Sequence, residues 1–169
     1  MTDNYNAAPT PISPRWPRAI ATVFGLGFTR PAPGTVASLV ALPAAWAIVW
    51  LGGGTFNGRL LLLLASILVF ATGSWACEHY SRTKGEPDPS ECVIDEVAGQ
   101  FFACTFAPLH LLPYLLAFVL FRVFDITKLW PVSLAENRIP GGLGIMADDV
   151  VAGLMAGIVL AVLTSIGIL

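Results

Sequence analysis

The chain has 169 residues, 56% of them hydrophobic and 12% charged, with a mean hydropathy of +0.74 and a net charge of −2. That is one domain's length with about half the ~25% charged fraction of a soluble domain, so the composition points to a membrane protein. Charge is divided unevenly, six basic residues against two acids through Lys84 and three against nine from Gly85 onward, and no basic run of the kind that binds nucleic acid is present.

Residues 1–18, with Pro9, Pro11, Pro14 and Pro17 among small polar residues, read as a disordered Pro-rich tail. Residues 19–169 read as a single helical membrane domain. Ala19–Phe28 is apolar but too short to span. It follows Arg15 and Arg18, yet no A-x-A cleavage site comes after it, so a short interfacial or re-entrant helix is expected in place of a signal peptide. Val36–Leu51 comes next, softly broken at Pro43, and then the long clean run Leu60–Cys77. Val93–Ala107 and Leu111–Phe124 form a helical hairpin across Pro108-Leu109-His110, closed by Pro113, and Val150–Leu169 is the last segment. The expected fold class is therefore all-α: a small polytopic membrane helical bundle of about four to five apolar helices plus the short amino-terminal one. Several segments are nearer ~15 than the ~20 residues a crossing needs, which leaves membrane spans and buried core helices both open.

Cys77, Cys92 and Cys104 form no C-x-x-C pair and no zinc spacing, and are expected to be reduced and incidental. Basic residues cluster before the first segment (Arg15, Arg18, Arg30), in the second connection (Arg82, Lys84) and in the fourth (Lys128, Arg138). Those regions are expected on the cytoplasmic side.

The acids fall at segment ends. Asp95-Glu96 open the third segment, Asp125 closes the fourth with Glu136 further on, and Asp148-Asp149 open the last. Alternation then brings all three groups to the cytoplasmic face. Carboxylates beside a membrane are costly unless paired, hydrated or bound to a cation. Converging on one face, they would make a divalent-metal site of oxygen ligands.

Each group also has a plainer reading. Asp95 and Glu96 suit a helix amino-terminus dipole. Arg122, Asp125 and Lys128, at i, i+3 and i+6, suit a surface ion pair. Asp148 suits an N-cap. Against these stand the apolar run leading to Arg122, where an unpaired guanidinium is expensive, and the doubling of acids beyond what capping needs. Asp95 and Gly99, four apart, share a helix face, with the glycine as a close-packing position. In Pro140-Gly141-Gly142-Leu143-Gly144, glycines such as Gly142 and Gly144 let the backbone come close to an anion at a helix start. Gly34-Thr35 with Ser38 opens the first segment, Thr35 as a cap and Arg30 within reach of a phosphate.

The exclusions narrow the chemistry. There is no C-x5-R loop, no D-x-D-x-T motif, and no histidine partner for His79, while His110 falls in the turn of the hairpin. Metal-assisted attack on phosphorus by water or a carboxylate remains.

Four ordered motifs carry a resemblance: Phe28-Thr29-Arg30-Pro31-Ala32-Pro33-Gly34-Thr35 with Ser38; Asp95-Glu96-Val97-Ala98-Gly99-Gln100; Phe121-Arg122-Val123-Phe124-Asp125 with Lys128 and Trp130-Pro131; and Gly141 through Gly153, which includes Asp148-Asp149. From about Phe24 to the end, the chain resembles the phosphatidylglycerophosphatase A family. The resemblance implies a magnesium-dependent phosphatase of the bacterial inner membrane that converts phosphatidylglycerophosphate to phosphatidylglycerol and phosphate, its multi-pass chain presenting the site to the cytoplasm. It implies that Asp95, Glu96, Asp125, Asp148 and Asp149 hold Mg2+ and position the water, and that Arg30, Arg122 and Lys128 neutralise the phosphate. Ala37 and Leu129 depart from the family pattern beside motif residues. The expected partner is a phospholipid in the bilayer, with neither nucleic acid nor an obligatory protein.

Two rivals differ in class. Another magnesium-dependent phospholipid-headgroup enzyme, such as a CDP-alcohol phosphotransferase, needs D-x-x-D-G-x-x-A-R, which is absent. A small membrane cation transporter would place ionisable residues near the bilayer midplane, where this chain is apolar.

Overall fold

The protein's structure, a computed structural model, describes residues 15–169 apart from the side chains of Glu136 and Asn137. The tail expected at residues 1–18 lies outside the described residues up to residue 14, and residues 15–18 already belong to the first helix. The described residues are all-helical: α1 (Arg15–Ala21), α2 (Pro33–Leu51), α3 (Phe56–Lys84), α4 (Ile94–Thr105), α5 (Leu111–Thr127), α6 (Val132–Arg138) and α7 (Gly141–Ser165). The short helix expected over Ala19–Phe28 is divided. It ends at Ala21, and Val23, Phe24 and Gly25 at positive φ turn the chain into a 3-10 turn at Leu26–Phe28.

Large apolar side chains lie outside and small ones inside. Leu61, Leu64, Ile67 and Leu68 of α3 and Leu111, Leu115, Val119 and Val123 of α5 are exposed, whereas Ala37, Ala41, Ala45, Ala76, Ala98, Ala103, Ala117, Ala152 and Ala156 are buried. Water would favour the reverse. Small residues at helix contacts under an apolar exterior are how helices pack in lipid, where close backbone approach replaces the hydrophobic drive. Among the described residues, three helices are long and apolar enough to cross a membrane: α2, α3 and α7. Pro43 lies within α2 on its exposed face and does not divide the helix.

The length ambiguity resolves for α4. At 12 residues it is about 18 Å long against a hydrocarbon core of about 30 Å. Every residue from Ala98 to Thr105 is buried, and α2, α3, α5 and α7 all pack against it. It is the core strut of the bundle. The backbone comes closest where α4 meets α7: a Cβ on Gly153 would collide with the carbonyl oxygen of Gly99.

The starts of α2, α4 and α7 and the ends of α3 and α5 gather at one end. There Gly34 abuts the Glu96 carboxylate, Arg122 pairs toward Glu96, Lys128 pairs with Asp148, and Glu78 receives the Gly142 N–H. At the other end Gly54 approaches Leu109.

Candidate active site

Asp95 and Glu96 occupy the first turn of α4, where free backbone N–H groups and the helix dipole favour acids. The backbone N–H of Glu96 donates to Asp95 Oδ1 at 3.1 Å. Asp149 comes to them from α7 because the glycine crossing lies one turn beyond each acid, Asp95 to Gly99 and Asp149 to Gly153. Asp95, Glu96 and Asp149 each offer a carboxylate oxygen, and these oxygens lie within 4.8 Å of one another.

Beside this trio runs a ladder of alternating charge. Arg122 Nη1 lies 3.9 Å from Glu96 Oε1 and 2.7 Å from Asp125 Oδ2. Lys128 Nζ lies 3.8 Å from Asp125 Oδ1 and pairs directly with Asp148 Oδ2. The i, i+3, i+6 side expected of Arg122, Asp125 and Lys128 is therefore present. Lys128 itself closes α5 in the left-handed conformation, at φ 48°. Of the five expected ligands the structure brings three into one sphere, and ties Asp125 and Asp148 to cationic side chains beside it. The Glu136 side chain lies outside the described residues.

Asp95, Glu96, Asp125, Lys128, Asp148 and Asp149 all line one cleft of about 430 Å³. Glu96 Oε2, Asp148 Oδ1 and Asp149 Oδ2 are buried without a hydrogen-bond partner among the described residues. Such oxygens are costly unless a cation meets them. Desolvation first, and then the adjoining Glu96 carboxylate, hold the Asp95 carboxyl well above its ordinary range. An ion among these groups would reverse that bias. An all-oxygen donor set of this kind fits a hard divalent cation such as Mg2+.

Other expected residues stand elsewhere. Ser38 is fully buried, donates to the Gly34 carbonyl within its own helix at 2.8 Å, and is not part of the cleft lining. Arg30 is exposed and Thr35 half-buried, and neither belongs to the cleft lining. What α2 brings to the site is Gly34, whose missing side chain leaves room for the Glu96 carboxylate.

The glycine stretch also differs from expectation. α7 begins at Gly141, not at the acids expected to open it, so Asp148 and Asp149 lie about two turns inside it and the plainer N-cap reading of Asp148 is ruled out. The anion that meets the Gly142 N–H at this helix start is the protein's own Glu78 carboxylate, whose Oε2 accepts it at 2.6 Å. Gly144 does line the cleft, and a Cβ there would strike the Ile139 carbonyl oxygen. Glu78 escapes a sequence reading because it stands alone in a mixed polar stretch, 64 residues from its partner.

The cysteine expectation is corrected. Cys77 and Cys92 are joined in a disulfide at a separation of 15 residues, and Cys104 is free and buried. The bond ties α3 to the connection before α4, and Cys92 lines the cleft. The same connection is held by Lys84 Nζ, 2.6 Å from Glu91 Oε2 and 2.8 Å from Glu86 Oε2. The hydrogen bond from Lys84 draws the Glu91 carboxyl below its usual range.

The profile of the phosphatidylglycerophosphatase A family matches residues 19–164. A Bacteroides thetaiotaomicron protein provisionally named a phosphatidylinositol-3-phosphatase is 37% identical over 153 residues, 86% of this chain and 92% of the relative. The phosphatidylglycerophosphatase A of Escherichia coli K12 is 33% identical over 81% of this chain and 77% of its own length. That of Haemophilus influenzae is 34% identical over 83% of each chain. No solved structure matches. With matched residues that include every acid of the cleft, the chain belongs to the phosphatidylglycerophosphatase A family.

Proposed function

We propose that this membrane phosphatase hydrolyses the terminal phosphomonoester of phosphatidylglycerophosphate, in a Mg2+-dependent reaction at the cytoplasmic face of the bacterial inner membrane. The observation that carries the reading is the meeting of the Asp95, Glu96 and Asp149 oxygens within 4.8 Å, beside Arg122 and Lys128. Oxygen ligands for a cation and side-chain cations for a phosphate are the two halves of a metal-assisted phosphoryl site.

Asp95, Glu96 and Asp149 would hold the ion, with Asp125 and Asp148 completing its surroundings. Bound there, Mg2+ supplies Lewis acidity toward a phosphoryl oxygen and a lowered pKa for water. Lys128 and Arg122 already face carboxylates at the cleft and would share the phosphate's charge as it enters. A carboxylate released from such a pair is placed to accept a proton from the attacking water. The site's position at the bundle end lets the acyl chains stay in the bilayer while the headgroup reaches the acids.

The Bacteroides relative's name supports a second reading, a phosphoinositide carrying a phosphomonoester on its ring. Both readings share the chemistry and differ in headgroup. The test is phosphate release by detergent-purified protein from vesicles of each lipid, with Mg2+ and then with excess chelator. Release from phosphatidylglycerophosphate that chelator stops is expected. Release confined to the phosphoinositide would replace the substrate, and release that chelator leaves untouched would remove the metal.

A further inference from the structure

Glu78 stands outside the acid cleft, yet its carboxylate holds the beginning of the helix that carries Asp148 and Asp149. Its Oε2 accepts the Gly142 N–H at 2.6 Å, and its Oε1 lies 2.5 Å from an Arg82 guanidinium nitrogen. The Gly142 N–H is among the first four of α7, which have no partner within the helix, and a negative charge there also complements the helix dipole. The approach depends on absent side chains. A Cβ on Gly141, at φ +71°, would run into the Glu78 carboxylate, and one on Gly142 into the Ser74 carbonyl oxygen. Glu78 and Gly142 line a separate groove with Ser74 and Arg82, and Gly141 borders both that groove and the cleft.

We propose that Glu78 is a positioning residue: it fixes where α7 starts against α3, and so how far Asp148 and Asp149 reach into the cleft. From Gly142 to Asp149 is about two turns of continuous helix, so a shift at the start is carried to the acids with little loss. The neighbouring Cys77 is bonded to Cys92, three residues before Asp95. Two adjacent residues of α3 thus hold the start of α7 and the connection leading into α4, the two helices that carry the trio. The inference rests on the metal reading above, and concerns the spacing of the ligands, not contact with substrate.

The test measures Mn2+ binding to detergent-purified full-length protein by electron paramagnetic resonance, beside the melting temperature without metal. The variants are Glu78→Ala, Glu78→Gln, Glu78→Asp and Arg82→Ala. Glu78→Ala is expected to weaken Mn2+ binding about tenfold, the usual scale for a group that orients ligands. Glu78→Gln keeps an oxygen acceptor for the Gly142 N–H and is expected to restore most of the loss. Arg82→Ala removes an exposed ion pair and is expected to bind as wild type. Should Glu78→Ala not fold, Glu78→Asp, one methylene short of Gly142, is expected to show the same weakening. A lowered melting temperature with wild-type Mn2+ affinity would make Glu78 merely structural and overturn the proposal. Mn2+ binding absent in wild type would overturn the metal reading and this inference together, whereas equal binding across all variants would overturn the positioning role alone.

Discussion

The carbonyl oxygen of Gly99 sits where a side chain on Gly153 would begin, so α4 and α7 touch backbone to backbone. In the other direction, a Cβ on Gly99 would meet the Phe121 ring at 2.5 Å and the Asp149 carbonyl oxygen at 2.6 Å. The spacing of the Asp95 and Asp149 carboxylates is therefore set by two absent side chains. Gly153→Ala forces the helices apart, an overpacking that costs about 1–3 kcal/mol. The expected result is a lower melting temperature in detergent and a loss of phosphate release larger than the loss of folded protein. Release that falls only in step with the folded fraction would uncouple the crossing from the site.

The trio and the ladder make different predictions for the acids. Asp95→Asn and Asp149→Asn remove oxygens from the sphere of three and are expected to weaken Mn2+ binding by about 100-fold. Asp125, 2.7 Å from Arg122 and 3.8 Å from Lys128, is already balanced by cations. Asp125→Asn is expected to weaken binding far less while still slowing turnover. Equal losses at all three positions, measured by calorimetric titration with Mn2+, would put Asp125 on the ion itself.

Lys128 gives the corresponding test for the phosphate. It pairs with Asp148, lies at the cleft wall, and closes α5 in a left-handed conformation that holds its side chain toward α7. Lys128→Met keeps the apolar stem and removes a charge-assisted contact of about 1.5–3 kcal/mol. The lipid KM is expected to rise about tenfold or more with Mg2+ affinity nearly unchanged. A changed Mg2+ affinity at constant KM would assign Lys128 to ordering Asp148 instead.

Much of this site was legible because membranes simplify the reading. In a chain that is 12% charged, acids at segment ends stand out, and Asp95, Glu96, Asp125, Asp148 and Asp149 all reach one cleft. The spacing of Arg122, Asp125 and Lys128 followed from helix geometry alone. Three features did not. The start of α7 is hidden because glycines read as a loop, whereas Gly141, Gly142 and Gly144 form its first turn to let neighbouring backbone approach. α4 read as half of a membrane hairpin because hydropathy does not distinguish a helix buried in protein from one buried in lipid. The Glu78–Gly142 bond and the Cys77–Cys92 bridge are tertiary pairings across 64 and 15 residues, with no local pattern to announce them.

The orientation can be tested from the ends of the bundle. Arg15, Arg18, Arg30, Arg82, Lys84, Arg122, Lys128 and Arg138 belong to elements that meet at the cleft end, whereas Arg59 stands near the other end with the Gly52–Thr55 turn. Basic residues are retained in the cytoplasm, so this asymmetry supports a cytoplasmic cleft. Glu86 and Asn57 are exposed at opposite ends and serve as reporters. With Cys77 and Cys92 replaced by serine, Asn57→Cys is expected to react with a membrane-impermeant thiol reagent in intact spheroplasts. Glu86→Cys is expected to react only after the membrane is opened. Labelling of Glu86→Cys from outside would turn the bundle over, place the acids in the periplasm, and require a substrate headgroup on that side of the bilayer.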